Sequence, residues 1–195
     1  MKIAALVFWL ALGVFTSGVQ KPALTQMATS FAQLRDYEQA PPKGPGRQPI
    51  PRPQAMIDVI ATAALETDDP VHYLVYLDVL GAHESGYKLS LVGDHGSACG
   101  AFQTLCPKTP GFRRCTEQEE ADESTCHYGW RFIGGPGTGL AQARVAVAEL
   151  KKWAAQCDHP LYGYASGACH ETNTAHLYML DVDAELTAAS TFTAP

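Results

Sequence analysis

Six cysteines, Cys99, Cys106, Cys115, Cys126, Cys157 and Cys169, crowd the second half of a 195-residue chain, all of them downstream of an apolar N-terminal run. An even count of cysteines in a chain that reads as exported points to disulfides. No C-x2-C pair occurs, so the close spacing of a zinc site is missing and no metal or other cofactor is expected. Three bridges use every cysteine, with fifteen formal pairings open. Cys157 with Cys169 is the favoured local pair, because the intervening DHPLYGYASGA reads as a turn joining two helix ends. Any fold the chain adopts must bring these residues together in a stapled, loop-rich region.

The leader MKIAALVFWLALGVFTSGVQ sets Lys2 before an apolar run from Ile3 to Phe15, followed by the small residues Thr16, Ser17 and Gly18. That layout is a secretory signal peptide, and the alternative is an uncleaved anchor that tethers the protein to a membrane. Residues 1–19 are read as one or the other, which implies export to the periplasm or cell envelope, either anchored or secreted. Residues 20–53 lose apolar periodicity and end in APPKGPGRQPIPRPQ, a Pro/Gly-rich linker. The folded domain is expected over 54–195. With 46% apolar residues the chain can build a core, and its net charge of -6 carries no long basic block. Nothing in that pattern suggests an electrostatic grip on nucleic acid or anionic lipid, and no nucleic-acid partner is expected.

Helical periodicity dominates the domain. In QAMIDVIATAALET, Met56, Val59, Ile60, Ala63 and Ala64 recur at helical spacing, and the run stops near Asp68-Asp69-Pro70. Asp69 caps a second helix with Pro70 at its first position, and Leu77, Leu80, Gly81 and Glu84 share one face of it. KLSLV and SACGAF, separated by GDHG, read as a small β-hairpin. Residues 107–137 read as a stapled insertion with little regular structure. GLAQARVAVAELKKWAAQC is a helix with Leu140, Val147, Leu150, Ala154 and Cys157 on its apolar side, and a last helix spans about 174–187, capped by Thr172 or Asn173. The fold class is mainly α (α+β), a disulfide-stapled helical domain with a small hairpin.

Glu84 ends an apolar helical stripe immediately before a glycine-rich turn. A carboxylic acid that donates a proton near neutral pH needs its pKa raised from about 4.3 toward 6, through lost solvent and no adjacent cation. Glu84 shares a face with Leu77 and Leu80 and lies at the helix C-terminus, where the dipole disfavours negative charge. A solvated glutamate at a helix end satisfies the same spacing, so the neighbours decide. Ser85 can bond the carboxyl, and Gly93, Gly96 and Gly100 let backbone approach a ligand. Gln103 adds an amide able to donate to and accept from a sugar. None of the seven histidines falls in an H-E-x-x-H arrangement, and His83, His95 and His170 read as surface groups. Cys99 has no placed histidine partner and reads as a disulfide half rather than a nucleophile.

The run Glu84-Ser85-Gly86-Tyr87, then Gly96-x-x-x-Gly100-Ala101-Phe102-Gln103 and Pro107, resembles the E-S-x-x … G-x-x-G-L-M-Q-x-x-P signature of soluble lytic transglycosylases, the goose-lysozyme-like branch of the lysozyme superfamily. The family's later Y-N-x-G turn has a counterpart in Tyr164-Ala165-Ser166-Gly167, with Ala165 where the family carries asparagine. The resemblance covers about residues 54–186. It implies a lysozyme-like helical domain that cleaves the β-1,4 bond between N-acetylmuramic acid and N-acetylglucosamine in peptidoglycan glycan strands. Glu84 is then the catalytic acid and base, with Ser85, Gly100, Ala101, Phe102, Gln103 and Tyr164 binding substrate and 1,6-anhydro ends as product.

Two alternatives stand beside this reading. A lysozyme-type hydrolase needs a second carboxylate, about 5 to 5.5 Å from the acid for retention or about 6.5 to 9.5 Å for inversion. Asp94, in the Gly93-Asp94-His95-Gly96 turn, is the candidate, although aspartate before glycine is also ordinary turn chemistry. The other alternative is a catalytically inactive peptidoglycan-binding or structural wall protein that uses the same groove.

Overall fold

A computed structural model of the chain describes residues 20–38, 52–122 and 124–193, and the side chains among these outside 31–38 and 191–193. The leader at 1–19 and most of the Pro-rich stretch, 39–51, lie outside the described residues. Among the described residues the protein is mostly helical, with seven α-helices, two small antiparallel sheets and three disulfides. No described helix is long and apolar enough to cross a membrane.

The first helix corrects the linker expectation for 20–53. Lys21–Glu38 forms α1, and its Leu24, Met27 and Ala28 are buried in the main core. Their i, i+3, i+4 spacing makes an apolar stripe on a helix that packs on three of the helices that follow, so this half of the segment belongs to the domain. Arg52, at the far end of the same segment, is also fixed. Its guanidinium reaches Asp78 through Nε at 2.8 Å and Nη2 at 2.5 Å, with both side chains buried.

Gln54–Leu65 is α2 and Pro70–Ser85 is α3. Asp69 accepts from the His72 N–H, and Pro70 opens the helix where no N–H is needed. Leu74, Val75, Leu77, Val79 and Leu80 are fully buried, so apolar residues ring α3 on nearly every side. A helix apolar all round sits at the centre, and α1 and α2 both pack against α3. Gly86 ends it with φ of 60°, a left-handed cap that glycine adopts without strain.

The expected hairpin is a three-stranded antiparallel sheet: β1 Val92–Gly93, β2 Ala98–Cys99 and β3 Thr104–Leu105. KLSLV contributes only its last residue to β1. SACGAF divides because Gly100 (φ 81°) and Gln103 (φ 46°) turn the chain between β2 and β3. The insertion at 107–137 is also more regular than expected. Phe112–Arg114 (β4) pairs with Trp130–Phe132 (β5), and the short α4, Glu117–Glu120, opens on Thr116 in a capping box. Trp130 packs against the Cys99–Cys106 bridge, with Val92 and Phe112 around it, in a small core shared by the two sheets.

Thr138–Ala154 forms α5. Its buried face is Gly139, Gln142, Ala143, Ala146 and Leu150, whereas Leu140 and Val147 are half-buried and Ala154 is exposed, so the apolar side is rotated from the expected stripe. The stretch after it is a helix rather than a turn. Pro160–Ser166 is α6, with His159 Nδ1 accepting from the Leu161 N–H and Gly163 lying against the Trp153 ring with no room for a side chain. Asn173–Thr193 is α7, capped by Thr172 Oγ1, which accepts from Ala175 N–H at 3.1 Å. The bridges join Cys99 to Cys106, Cys115 to Cys126 and Cys157 to Cys169, each cysteine pairing with its neighbour along the chain.

Candidate active site around Glu84

The last turn of α3 brings Glu84 to the seam where α7 packs along it. Tyr178 of α7 donates its hydroxyl to Glu84 Oε1 at 2.9 Å. Loss of solvent pushes the Glu84 carboxyl above its ordinary pKa, while the Tyr178 hydrogen bond and the charge of His83 pull the other way. Burial and the adjacent carboxylate drive the Tyr178 phenol far upward, so it stays a neutral donor. His83 Nε2 lies 2.5 Å from Asp181 Oδ2, and the His83 ring rests 4.8 Å from the Tyr178 ring. These groups form one wall of the site.

Ser85, next to Glu84, ties α3 to the 100–103 turn, whose backbone three helices hold. Ser85 Oγ of α3 donates to the Ala101 carbonyl at 2.7 Å and itself accepts from Lys88 N–H at 3.0 Å. Gln142 of α5, fully buried, accepts the Ala101 N–H at 2.9 Å and donates to the Leu89 and Pro110 carbonyls at 3.1 and 3.0 Å. Tyr164 of α6 donates to the Phe102 carbonyl at 2.7 Å. Its phenol is held far above the usual range, first by burial and then by the Glu84 charge. Gly100 is required here: a Cβ would come within 2.5 Å of Gln142 Oε1, and the φ is positive.

The structure thus brings Glu84, Ser85, Gly100, Ala101, Phe102 and Tyr164 into one constellation. Ala101 and Phe102 are buried and contribute backbone; Ser85 secures the turn rather than the carboxyl. Gln103 curls back on its own sheet, with Nε2 donating to the Gly100 carbonyl at 2.8 Å and Oε1 where a Cβ on Gly93 would fall. Asp94 is exposed, and its Oδ2 accepts from Ser97 Oγ at 2.6 Å within the same turn. A cleft of about 250 Å3 adjoins the 100–103 turn, lined by Gln103, Leu105, Glu149, Trp153 and Tyr164 among others.

Tyr178 and Gln142 are the site residues that sequence reasoning missed. Tyr178 falls in the buried Ala175, Tyr178, Val182, Glu185 stripe of α7, and its hydroxyl is the one signal that this stripe does more than pack. Gln142 is a single polar residue on an otherwise small, apolar helix face, a position where only a fully bonded amide is tolerated.

Chemically, the constellation offers one proton-holding carboxyl, a neutral phenol fixed to one of its oxygens, and a rigidly held turn tied to the next residue. With Oε1 accepting from Tyr178, the proton of the neutral acid belongs on Oε2. All six cysteines are in bridges, and among the described residues no group of three or more His, Cys, Asp or Glu side chains could hold a metal ion. No family model matches the chain, and no curated protein or solved structure matches it.

Proposed function

We propose that the protein is a peptidoglycan lytic transglycosylase of the cell envelope, with Glu84 as its general acid and base. The observation that carries this reading is the Glu84 carboxyl itself: half-buried, shifted toward its neutral form, and held at Oε1 by Tyr178, one residue before the serine that ties down the glycine-containing turn. With a glycan strand bound at Glu84, Oε2 protonates the oxygen of the β-1,4 bond as that bond to muramoyl C1 breaks. The resulting carboxylate takes the proton of the muramoyl C6 hydroxyl, whose oxygen attacks C1 and closes the 1,6-anhydro ring. Glu84 ends protonated, ready for the next strand. Tyr178 supports both states, because a phenol donates to either form of the carboxyl.

The single-carboxylate chemistry is favoured over a hydrolase by the setting of Asp94, whose oxygen is taken up by Ser97 in an exposed turn. Purified peptidoglycan digested by the full chain should release muropeptides with anhydro ends by mass spectrometry. Reducing ends, together with an inactive Asp94→Asn variant, would replace this reading by the lysozyme-type one. Binding to the wall with no released product would leave a wall-binding protein.

A further inference from the structure

A second cleft, of about 300 Å3, opens between the first sheet and the disulfide-closed lobe, on residues that the chemistry above does not use. Trp130 and Phe132 of β5 supply an apolar wall, and Ser90, Thr125, His127 and Arg131 a polar one. Arg131 commits one nitrogen, Nη1, to Glu119, and 37% of its side chain stays exposed. Glu119 is already held by both terminal nitrogens of Arg113, at 2.7 and 2.6 Å, so two guanidinium groups share one carboxylate. Arg114 lies 4.3 Å over the Trp130 ring. Asp122, the other carboxylate that Arg131 faces, accepts from Ser124 and Thr125. Arg131 is the guanidinium among the residues that line the cleft.

The cleft is also joined to the Glu84 site through one stretch of backbone. Ser90 and Val92 line it, while Leu89 and Leu91, between and beside them, give their carbonyls to Gln142 Nε2 and to the Gly100 N–H. One side of residues 89–92 holds the active-site turn and the other walls the cleft. A planar guanidinium with N–H groups to offer, hydroxyls beside it and an aromatic wall together suit a carboxylate carried on a small, partly apolar group.

We infer that this cleft binds the carboxylate-bearing side chain of a muramoyl residue, so that the protein engages peptidoglycan through its acidic substituent as well as its sugars. The inference rests on the proposed function for the identity of the ligand, and its test is direct binding rather than turnover. N-acetylmuramoyl-L-alanyl-D-isoglutamine, the methyl ester of its free carboxylate, N-acetylmuramic acid and chitobiose would each be titrated into the full chain by calorimetry. The indole N–H resonance of Trp130, a buried donor with no acceptor among the described residues, would be followed in parallel.

The expected result is binding of the dipeptide probe with a shift of the Trp130 resonance, and binding weaker by about ten-fold or more for the ester, as loss of a charge-assisted hydrogen bond requires. Arg131→Gln should weaken the acid by a similar factor, and Ser90→Trp, which fills the cleft without touching the ion pairs, should do the same if Arg131→Gln misfolds. Equal binding by N-acetylmuramic acid, whose lactyl carboxyl is free where the dipeptide's is amidated, means that the cleft takes a carboxylate from either arm, and binding by the dipeptide alone assigns it to the peptide. Ester and acid of equal affinity, unaffected binding in Ser90→Trp, or no binding by any muramoyl probe overturns the inference. Glu84→Gln should bind the probe as the parent does. Lysis retained in that variant would remove the enzymatic reading while leaving the binding result intact.

Discussion

The two small sheets are held by different forces. The turn of the first, at 100–103, is fixed by neutral hydrogen bonds from Ser85, Gln142 and Tyr164, each on a different helix and each at least half-buried. The second sheet, β4 with β5, is closed by the Cys115–Cys126 bridge and by the Arg113, Arg131 and Glu119 ion pairs, the ion pairs being partly open to water. Each sheet carries a disulfide, buried Cys99–Cys106 in the first and Cys115–Cys126 in the second, so the difference lies in the other bonds: buried neutral ones respond little to salt, whereas exposed ion pairs are screened. Rigidity has been placed beside Glu84 and adaptability in the lobe, which is the arrangement expected when chemistry occurs at one and recognition at the other.

Glu84→Gln tests the chemical half of that contrast and has the largest expected effect. Release of muropeptides should fall by at least about 100-fold, the usual range for loss of a general acid. The fold should gain stability near neutral pH. The native carboxyl has a raised pKa and the unfolded one titrates near 4.3, so the folded state binds the extra proton between the two values. Wild-type stability is therefore full below the unfolded pKa and falls as pH rises through the folded one. The melting temperature of Glu84→Gln should match the parent at low pH and exceed it at pH 7; a difference that does not change with pH would remove the burial account of Glu84.

Gln142→Ala breaks the rigid side of the comparison. It strands the Ala101 N–H and the Leu89 and Pro110 carbonyls in a buried place, at a cost of about 3 kcal/mol or more. Urea unfolding should show that loss, and activity should fall with it because the turn tied to Ser85 loses its strut. Gln142→Glu, which keeps the acceptor for Ala101 and loses both donors, should fall between the two.

The Cys115→Ser, Cys126→Ser pair tests the adaptable side. Removing a bridge across a short loop costs about 2 to 3 kcal/mol. Amide exchange over 112–132 should accelerate while amides of 98–105 keep their protection. Equal acceleration in both would mean that the shared core of Trp130 and the Cys99–Cys106 bridge makes the two sheets one cooperative unit.

Much of the rigid half was legible in the sequence. The α2, α3, α5 and α7 helices announce themselves by apolar spacing, and the Asp69-Pro70 start is written in local chemistry. Glu84 stands out because a charge closes an apolar stripe. What escaped depends on contacts distant in sequence. The seven residues of α6 are too few to persist alone and exist through burial of Leu161 in the main core and of Gly163 against Trp153. The α1 stripe of Leu24, Met27 and Ala28 is short and sits beside Pro-rich chain, so its partner helices must be known before it reads as core. Tyr178 reaches Glu84 from 94 positions away, and no local pattern specifies that meeting. The β4–β5 pairing spans a loop closed by a disulfide, and the composition of that loop conceals both strands.

Glu119→Gln should have the smallest effect and the most diagnostic conditions. Arg113, the Thr116 N–H and Arg131 hold the Glu119 carboxyl well below the usual carboxylate range. A depressed native pKa contributes stability that is present above the unfolded value, near 4.3, and is lost as pH falls through the native one. The side chain is largely solvated, so screening keeps the gain small. Acidification from pH 6 toward 3, or molar salt at pH 6, should loosen exchange protection over 112–132 in the parent and change little in Glu119→Gln, which has already lost the charge. Residues 98–105 should respond to neither treatment, because no ion pair holds their turn. If salt loosened the 98–105 turn as much as the lobe, the division into a rigid neutral side and an adaptable charged side would fail.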